Sequence, residues 1–243
     1  MRLIKHLMAT VTPSLAATLL LVRDCGELEV LMVQRHGDMR FGPGAFVFPG
    51  GKLDAQDLDP AWGVDALGSA QLDAEARGLR ICAIRETFEE TGILLAHRQD
   101  GRDENVIDGA SDLRSAVACG HLSFRDMVRG LGLRLDLEAL IPFGRWVTPA
   151  RQPIRFDAAF YIAHAPKGQP AVCDGREVVA ADWISPAKAL RMADLEELKL
   201  MRPTRINLTL LTAHADVQTA LARARTRLKD SCVDSGLNGS SLF

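Results

Sequence analysis

The stretch Arg85-Glu86-Thr87-Phe88-Glu89-Glu90-Thr91-Gly92-Ile93 decides how the rest of the chain is read. At about 100° per residue, Glu86, Glu89 and Glu90 fall within a sector of about 100° on one helical face. Ile81, Ile84 and Phe88 fall on the other side, toward a core. The pattern predicts a helix from about Asp73 to Thr91, stopping at Gly92, which suits the left-handed position that ends helices. Three carboxylates one turn apart repel, each close pair costing about 0.2–0.5 kcal/mol in an isolated helix. They also lie near the helix C-terminus, where the dipole already disfavours negative charge. Two readings follow: a solvated acidic surface, or oxygen ligands for a hard divalent cation. Arg85, at the edge of that face, is placed to hold one glutamate in position.

Upstream lies a glycine-dense loop, Gly37 to Gly51, with Pro43 inside it and Phe48-Pro49-Gly50-Gly51 at its end. Glycines let a backbone carbonyl or N–H approach an ion or a phosphate with no Cβ in the way. Taken alone, the pair Gly50-Gly51 is equally an ordinary tight turn. Two β-rich runs, Ser14 to Arg23 and Leu28 to Arg35, flank a Gly-containing turn and predict a hairpin. Residues 55–72 show little periodicity and read as an inserted loop, and Ala96 to Asp112 is polar and loop-like. Helical patterns follow at Leu113 to Cys119 and Phe124 to Gly130. Trp146-Val147-Thr148-Pro149 ends an extended segment, and strands are expected at Ile154 to His164 and Val178 to Ile184. Pro186 opens a helix to Met192, and two more are expected near Thr204 to Ala213 and Asp216 to Lys229. The expectation is one α+β domain over residues 1–243, with insertions at about 58–77 and 96–140 and C-terminal helices at about 186–229.

Composition narrows the class. The chain has 243 residues, 47% apolar and 25% charged, enough to bury a core without staples and far from collagen or wholesale disorder. Its 29 Lys plus Arg against 31 Asp plus Glu leave a formal charge of −2, which argues against a protein that coats nucleic acid. Cys25, Cys82, Cys119, Cys173 and Cys232 are scattered, with no C-x-x-C, so neither a disulfide framework nor a zinc ribbon is expected. Arg2, Lys5 and His6 before an apolar stretch mimic a signal peptide. Thr10, Thr12, Pro13 and Ser14 interrupt it, and the run to Val22 reads as a strand. A cytoplasmic protein with no membrane span is expected.

The glycine bend and the acidic helix together resemble the Nudix box, G-x5-E-x7-R-E-U-x-E-E-x-G-U, with U a bulky aliphatic. Gly51 fits the first glycine and Asp57 stands where the first Glu is expected; Arg85, Glu86, Glu89, Glu90, Gly92 and Ile93 fit the remainder. Asp replaces Glu at 57, Thr87 takes an aliphatic slot, and 27 residues rather than seven separate Asp57 from Arg85. The insertion leaves the helical half contiguous. A second signature, LLTxR[SA]x3Rx3Gx3FPGG, marks coenzyme A diphosphatases within the Nudix group. Leu31, Arg35, Arg40, Gly44 and Phe48-Pro49-Gly50-Gly51 match it in spacing, while Met32, Val33 and His36 depart. With Trp146-Val147-Thr148-Pro149 and Arg155-Phe156-Asp157, the chain is similar, over about residues 14–213, to the peroxisomal-type coenzyme A and acyl-CoA diphosphatases whose box is split by an insertion.

That resemblance implies an α/β/α sandwich with a mixed β-sheet and a hydrolase cleaving coenzyme A or acyl-CoA to phosphopantetheine and adenosine 3′,5′-bisphosphate. It implies that Glu86 and Glu90, assisted by Glu89 and the Gly51 carbonyl, hold Mg²⁺ or Mn²⁺. Arg85 would orient a carboxylate. Arg35, Arg40, Gly50 and Gly51 would meet the substrate phosphates, although surface ion pairing also accounts for the two arginines. Glu86, Asp174 and Glu177 are candidates for the general base, with turn chemistry the competing account of Asp174-Gly175. The basic helix bearing Arg223, Arg225, Arg227 and Lys229 reads as a solvated face. The expected partner is a small nucleotide, on a monomer or homodimer. Alternatives keep the fold and change the substrate to another nucleoside diphosphate such as ADP-ribose, or leave a non-catalytic nucleotide-binding module. Three costly carboxylates together argue against the last.

Overall fold

The computed structural model describes residues 11–100 and 110–234. β1 (Ser14–Asp24) and β2 (Leu28–Arg35) form the expected hairpin, with Val22 opposite Val30. Then come β3 (Phe46–Val47), β4 (Gly50–Lys52), the one-turn helix α1 (Trp62–Asp65) and β5 (Ala66–Leu67). The long helix α2 (Ala74–Thr91) precedes β6 (Ala96–Arg98), α3 (Ala110–Ala118), α4 (Phe124–Gly130) and β7 (Leu133–Asp136). The chain continues through β8 (Ile141–Val147), β9 (Phe156–His164), β10 (Val178–Ile184), α5 (Pro186–Asp194), α6 (Arg202–Leu211) and α7 (Val217–Asp234).

Seven strands make one mixed sheet in the order β10-β2-β1-β9-β8, with β3 paired to β2 and β4 to β1. β1 runs parallel to β9, and the other pairings in this sheet are antiparallel. Because strand side chains alternate, β1 serves two cores. Ala17, Leu19 and Leu21 pack with Ile81, Ile84 and Phe88 of α2, Val117 of α3 and Phe124 of α4. Leu20 and Val22 pack with Ala189 of α5, Leu208 and Leu211 of α6, and Val217, Ala220 and Leu221 of α7. The result is the expected α/β/α sandwich. Among the described residues no helix is long and apolar enough to cross a membrane.

Helix α2 has the ends its sequence dictates. The Asp73 carboxylate accepts the Ala76 N–H at 2.7 Å, and Gly92, at φ +76°, donates to the Phe88 carbonyl at 2.8 Å. Thr87 fits its aliphatic slot because its buried hydroxyl donates to the Ala83 carbonyl at 2.7 Å, leaving nothing unsatisfied.

The inserted segment is not a loop. A capped 3₁₀ turn (Ala55–Leu58), α1, β5 and a second 3₁₀ turn (Ser69–Gln71) precede α2, and residues 74–77 already belong to that helix. Trp62, only 1% exposed, packs against Phe124 and donates its indole N–H to the Gln56 carbonyl at 3.0 Å. Asp65 pairs with Arg125 at 2.7 Å. Residues 96–98, expected as loop, form a strand: β5, β7 and β6 make a second, three-stranded sheet. Part of the expected helical insertion is therefore β-structure, and its residues 101–109 lie outside the described residues. Trp62→Ala is expected to lower stability by about 3–5 kcal/mol in urea unfolding, as a core residue does. A loss below about 0.5 kcal/mol would return the segment to a solvated loop.

Candidate functional site

The site is built where β4 meets α2. Gly50, at φ +155°, leaves so little room that a Cβ there would stand 2.4 Å from the Ala17 carbonyl oxygen and 2.7 Å from Thr18 Cα. The next glycine lies against the acidic helix: a Cβ on Gly51 would sit 2.4 Å from the Glu86 carboxyl carbon. Gly50 admits only glycine because the backbone of β1 closes on it, and Gly51 sets the bend directly against the Glu86 carboxylate. The Gly50 N–H donates to Glu90 Oε2 at 3.1 Å, joining the bend to the helix.

Arg85 organises the carboxylates. Its buried guanidinium donates to both Asp57 oxygens, at 2.8 and 2.9 Å, to Glu86 Oε1 at 2.9 Å, to Glu89 Oε1 at 3.1 Å and to the Lys52 carbonyl at 3.2 Å. Asp57 is fully buried. It also closes a capping box with Asp54, accepting the Asp54 N–H at 2.9 Å. Gly78 makes this docking close, since a Cβ there would stand 2.7 Å from the Leu58 side chain and 3.3 Å from the Asp57 carbonyl oxygen. The sequence marks Asp57 by its place in the box and by the Asp54-x-x-Asp57 capping signature. Gly78 carries no comparable signal.

One guanidinium does not balance this cluster. Burial pushes Glu86 from its ordinary 4.5 up to about 7, against the pull of Arg85 and with added repulsion from Glu89 and Glu177. Burial likewise raises Glu89, again opposed by Arg85. Glu90, 3% exposed, is raised well above its ordinary value by burial and then by Glu86, while the Gly50 amide and the Arg35 charge oppose the rise. For Arg85, burial works to lower the pKa, but the Asp57 hydrogen bonds and the Glu86 and Asp57 charges outweigh it. The acidic-surface reading therefore fails for Glu90 and Glu86. The donor set is all oxygen, over-rich in negative charge and buried, which fits a hard divalent cation. Among the described residues no three His, Cys, Asp or Glu side chains stand at cage spacing; Glu86 and Glu89 turn to Arg85, and Glu90 to Gly50. The Gly51 carbonyl lies 3.7 Å from Cys82 Sγ.

The remaining candidates separate. Arg35 Nε donates to the Phe41 carbonyl at 3.0 Å, bracing the glycine loop, and its charge reaches Glu90. Arg40 is exposed on that loop. The Asp174 carboxylate accepts the backbone N–H groups of Arg176, Glu177 and Val178 at 3.0–3.2 Å, so its work is the turn before β10. Glu177 is exposed, its carbonyl accepts the His36 N–H at 2.8 Å, and its charge acts on Glu86, Glu89 and Glu90 alike.

The sandwich and the split acidic box together define a Nudix fold. A NUDIX hydrolase from Alicyclobacillus acidocaldarius superposes with a TM-score of 0.76 at 31% identity, covering 88% of this chain and 97% of its own. The NUDT19 Nudix domain model matches residues 63–211, more than half the chain, which therefore belongs to that family. A protein of Gallus gallus named acyl-coenzyme A diphosphatase NUDT19 is 31% identical over 223 positions, 73% of this chain and 59% of that protein. Its namesake of Homo sapiens is 29% identical over 216 positions, 72% and 58% respectively. The chain thus spans under two thirds of the length of these relatives.

Removing one partner of a buried ion pair leaves the other uncompensated. Asp57→Ala is accordingly expected to cost about 3–5 kcal/mol in metal-free urea unfolding, against about 0–1 kcal/mol for the exposed pair Arg205–Asp194.

Proposed function

We propose that the chain is an Mg²⁺- or Mn²⁺-dependent hydrolase that cleaves the diphosphate of coenzyme A or acyl-CoA, releasing a phosphopantetheine and adenosine 3′,5′-bisphosphate. The observation that carries this reading is the buried trio of glutamates held against a two-glycine bend with too little positive charge among them. The names of the relatives and the matching coenzyme A signature at Arg35, Arg40 and Phe48–Gly51 support the substrate.

In this reading Glu86 and Glu90 hold the cation, with Glu89 and the Gly51 carbonyl assisting. When bound, the ion supplies charge neutralisation for the diphosphate and acidifies water. Arg85 is a positioning residue: fixed by Asp57, it sets the carboxyl planes of Glu86 and Glu89. Arg35 and Arg40 take phosphate oxygens, for which the guanidinium fork is suited. Water attacks one phosphorus, its proton passes to a carboxylate, and the bridging P–O bond breaks toward the other phosphate. Glu177 is favoured as that base, being exposed, clear of the Arg85 network and fixed through its own backbone. Asp174 positions it through the turn.

Two measurements test this. Glu86 binds its proton more tightly folded, at about 7 against an ordinary 4.5. The native state therefore holds extra protons between those values, and metal-free stability attributable to this group falls as pH rises through that window. Cations compete with those protons, so the Mn²⁺-induced rise in Tm should be larger near about pH 8 than near about pH 5.5. Equal shifts at both would detach the ion from Glu86.

Purified protein with Mg²⁺ or Mn²⁺ should hydrolyse coenzyme A and acetyl-CoA. Glu90→Gln should lower kcat at least about a thousandfold, roughly 4 kcal/mol, with an unchanged circular dichroism spectrum. Glu177→Gln should lower kcat about a hundredfold or more, the usual worth of a general base, while leaving the Mn²⁺-induced rise in Tm unchanged. Hydrolysis of ADP-ribose alone would reassign the substrate, and nucleotide binding without hydrolysis would make this a binding module.

A further inference from the structure

The segment that carries Glu177 is fastened to the helical layer before and after its turn. Glu177 is exposed, so no core holds it and its place depends on its backbone. Upstream, the Gln169 side chain spans the Leu94 backbone, accepting its N–H at 2.8 Å and donating to its carbonyl at 3.0 Å. The Val172 N–H donates at 2.9 Å to the carbonyl of Thr91, the last residue of α2. Downstream, the Gly175 N–H donates to the Val178 carbonyl at 2.9 Å, and the Asp174 carboxylate takes the amides that follow.

Between these ties stands Arg114 of α3. Its Nη1 donates to the Val172 carbonyl, and its Nη2 to the Cys173 carbonyl at 3.1 Å. Val117, three residues on and so on the same helix face, is buried in the core that α2 shares with β1. That packing carries Arg114 over the end of α2, where a Cβ on Gly92 would stand 3.4 Å from Nη1. The C-terminal end of a helix favours a cation, and the last turns of α2 hold three glutamates instead. One guanidinium therefore answers the α2 dipole and grips two successive carbonyls just before Asp174. A planar fork reaches two acceptors at once, which the point charge of an ammonium does not. On the far side of the turn, Arg176 reaches back to Cys119 Sγ, just past the end of α3, at 3.1 Å.

We propose that Arg114 is a positioning residue for the hydrolytic step: through the Val172 and Cys173 carbonyls and the Asp174 turn, it holds Glu177 in a fixed place beside the acidic helix. This role rests on Glu177 acting as the general base. A base works only within hydrogen-bonding reach of the water it deprotonates, and a misplacement of about 1 Å costs up to about a hundredfold in rate. The segment before Glu177 is tied to Thr91 and, through Arg114, crosses Gly92, so it is referenced to the same helix that carries Glu86, Glu89 and Glu90. The base and the carboxylates thus keep one frame although they lie about ninety residues apart in the chain.

The test is steady-state kinetics of the full chain with Mg²⁺ and coenzyme A, for Arg114→Ala, Glu177→Gln and the double variant. Arg114→Ala should lower kcat at least about tenfold, but by less than Glu177→Gln does, with KM within about twofold and the Mn²⁺-induced rise in Tm intact. In the Glu177→Gln background the same substitution should change kcat less than about twofold, because nothing is left to position. A general loosening of the fold would instead show its full effect in both backgrounds. Arg114→Lys should recover part of the lost kcat, since it keeps the charge over α2 and reaches one carbonyl. It takes the place of Arg114→Ala in the cycle should the alanine variant not fold. Wild-type kcat in Arg114→Ala, or an equal loss in both backgrounds, would overturn the role of Arg114 and leave Glu177 as the base. Full activity in Glu177→Gln would remove the base assignment, and no turnover by the wild type would remove the hydrolase reading; either takes this proposal with it.

Discussion

A single guanidinium, shared among three carboxylates inside the protein, constrains everything around it. Arg85 bonds Asp57, Glu86 and Glu89 at 2.8–3.1 Å, while Glu90 beside them receives only the Gly50 N–H and the more distant charge of Arg35. A buried pair of this kind adds little net stability, because desolvation cancels most of the Coulomb gain. What it fixes is orientation. With Asp57 taking both prongs of the fork on one side, the remaining donors are aimed along the helix at Glu86 and Glu89. Burial first, and repulsion among the neighbouring carboxylates after it, raises the proton affinity of all three glutamates. Such strain is tolerable only where something other than stability selects for it.

The sheet explains why the strain is held so firmly. β1 is central, flanked by β2 and β4 on one side and by parallel β9 on the other, and its alternate residues enter both cores. β4 is only three residues long, yet the register Ala17–Gly51 and Thr18–Gly50 ties it to the best-packed strand of the fold. α2 lies across the same strand through Ile81, Ile84 and Phe88. The acidic face and the glycine bend are therefore both referenced to β1, so neither can shift without disturbing a core.

Local signals carried the reading of this fold, and long-range ones escaped it. α2 announces itself through a 3.6-residue period, an Asp73 cap and a Gly92 stop, all within its own span. β2, α4 and β10 have the ends their sequences suggest for the same reason. The segment after Asp54 looked structureless because its anchor is Trp62 against Phe124 and Asp65 against Arg125, contacts that span about sixty residues. β6 is invisible as Ala-His-Arg, since its strand character comes from β7. At the site, the three glutamates and Arg85 were legible as a spacing. The burial that turns Glu90 from a surface charge into a strained one was not, being a property of the β4–α2 contact. Nor does a sequence separate Glu177 from Asp174, three residues apart, when the difference is which carboxylate the turn consumes.

The inserted segment shows how a motif survives interruption. Asp57 and Arg85 are 28 residues apart and still make the tightest contact of the site. Lengthening the intervening chain from seven residues to 27 raises the loop-closure cost by only about 1.2 kcal/mol, because that cost grows with the logarithm of length. Both ends are held independently of the insert: Asp57 by its capping box with Asp54 and its seat on Gly78, Arg85 by the helix. Burial of Trp62, worth roughly 3 kcal/mol by apolar area, exceeds the closure term. An excursion that contributes a core residue, a carboxylate for an ion pair and one edge strand of the second sheet leaves the Asp57–Arg85 geometry undisturbed.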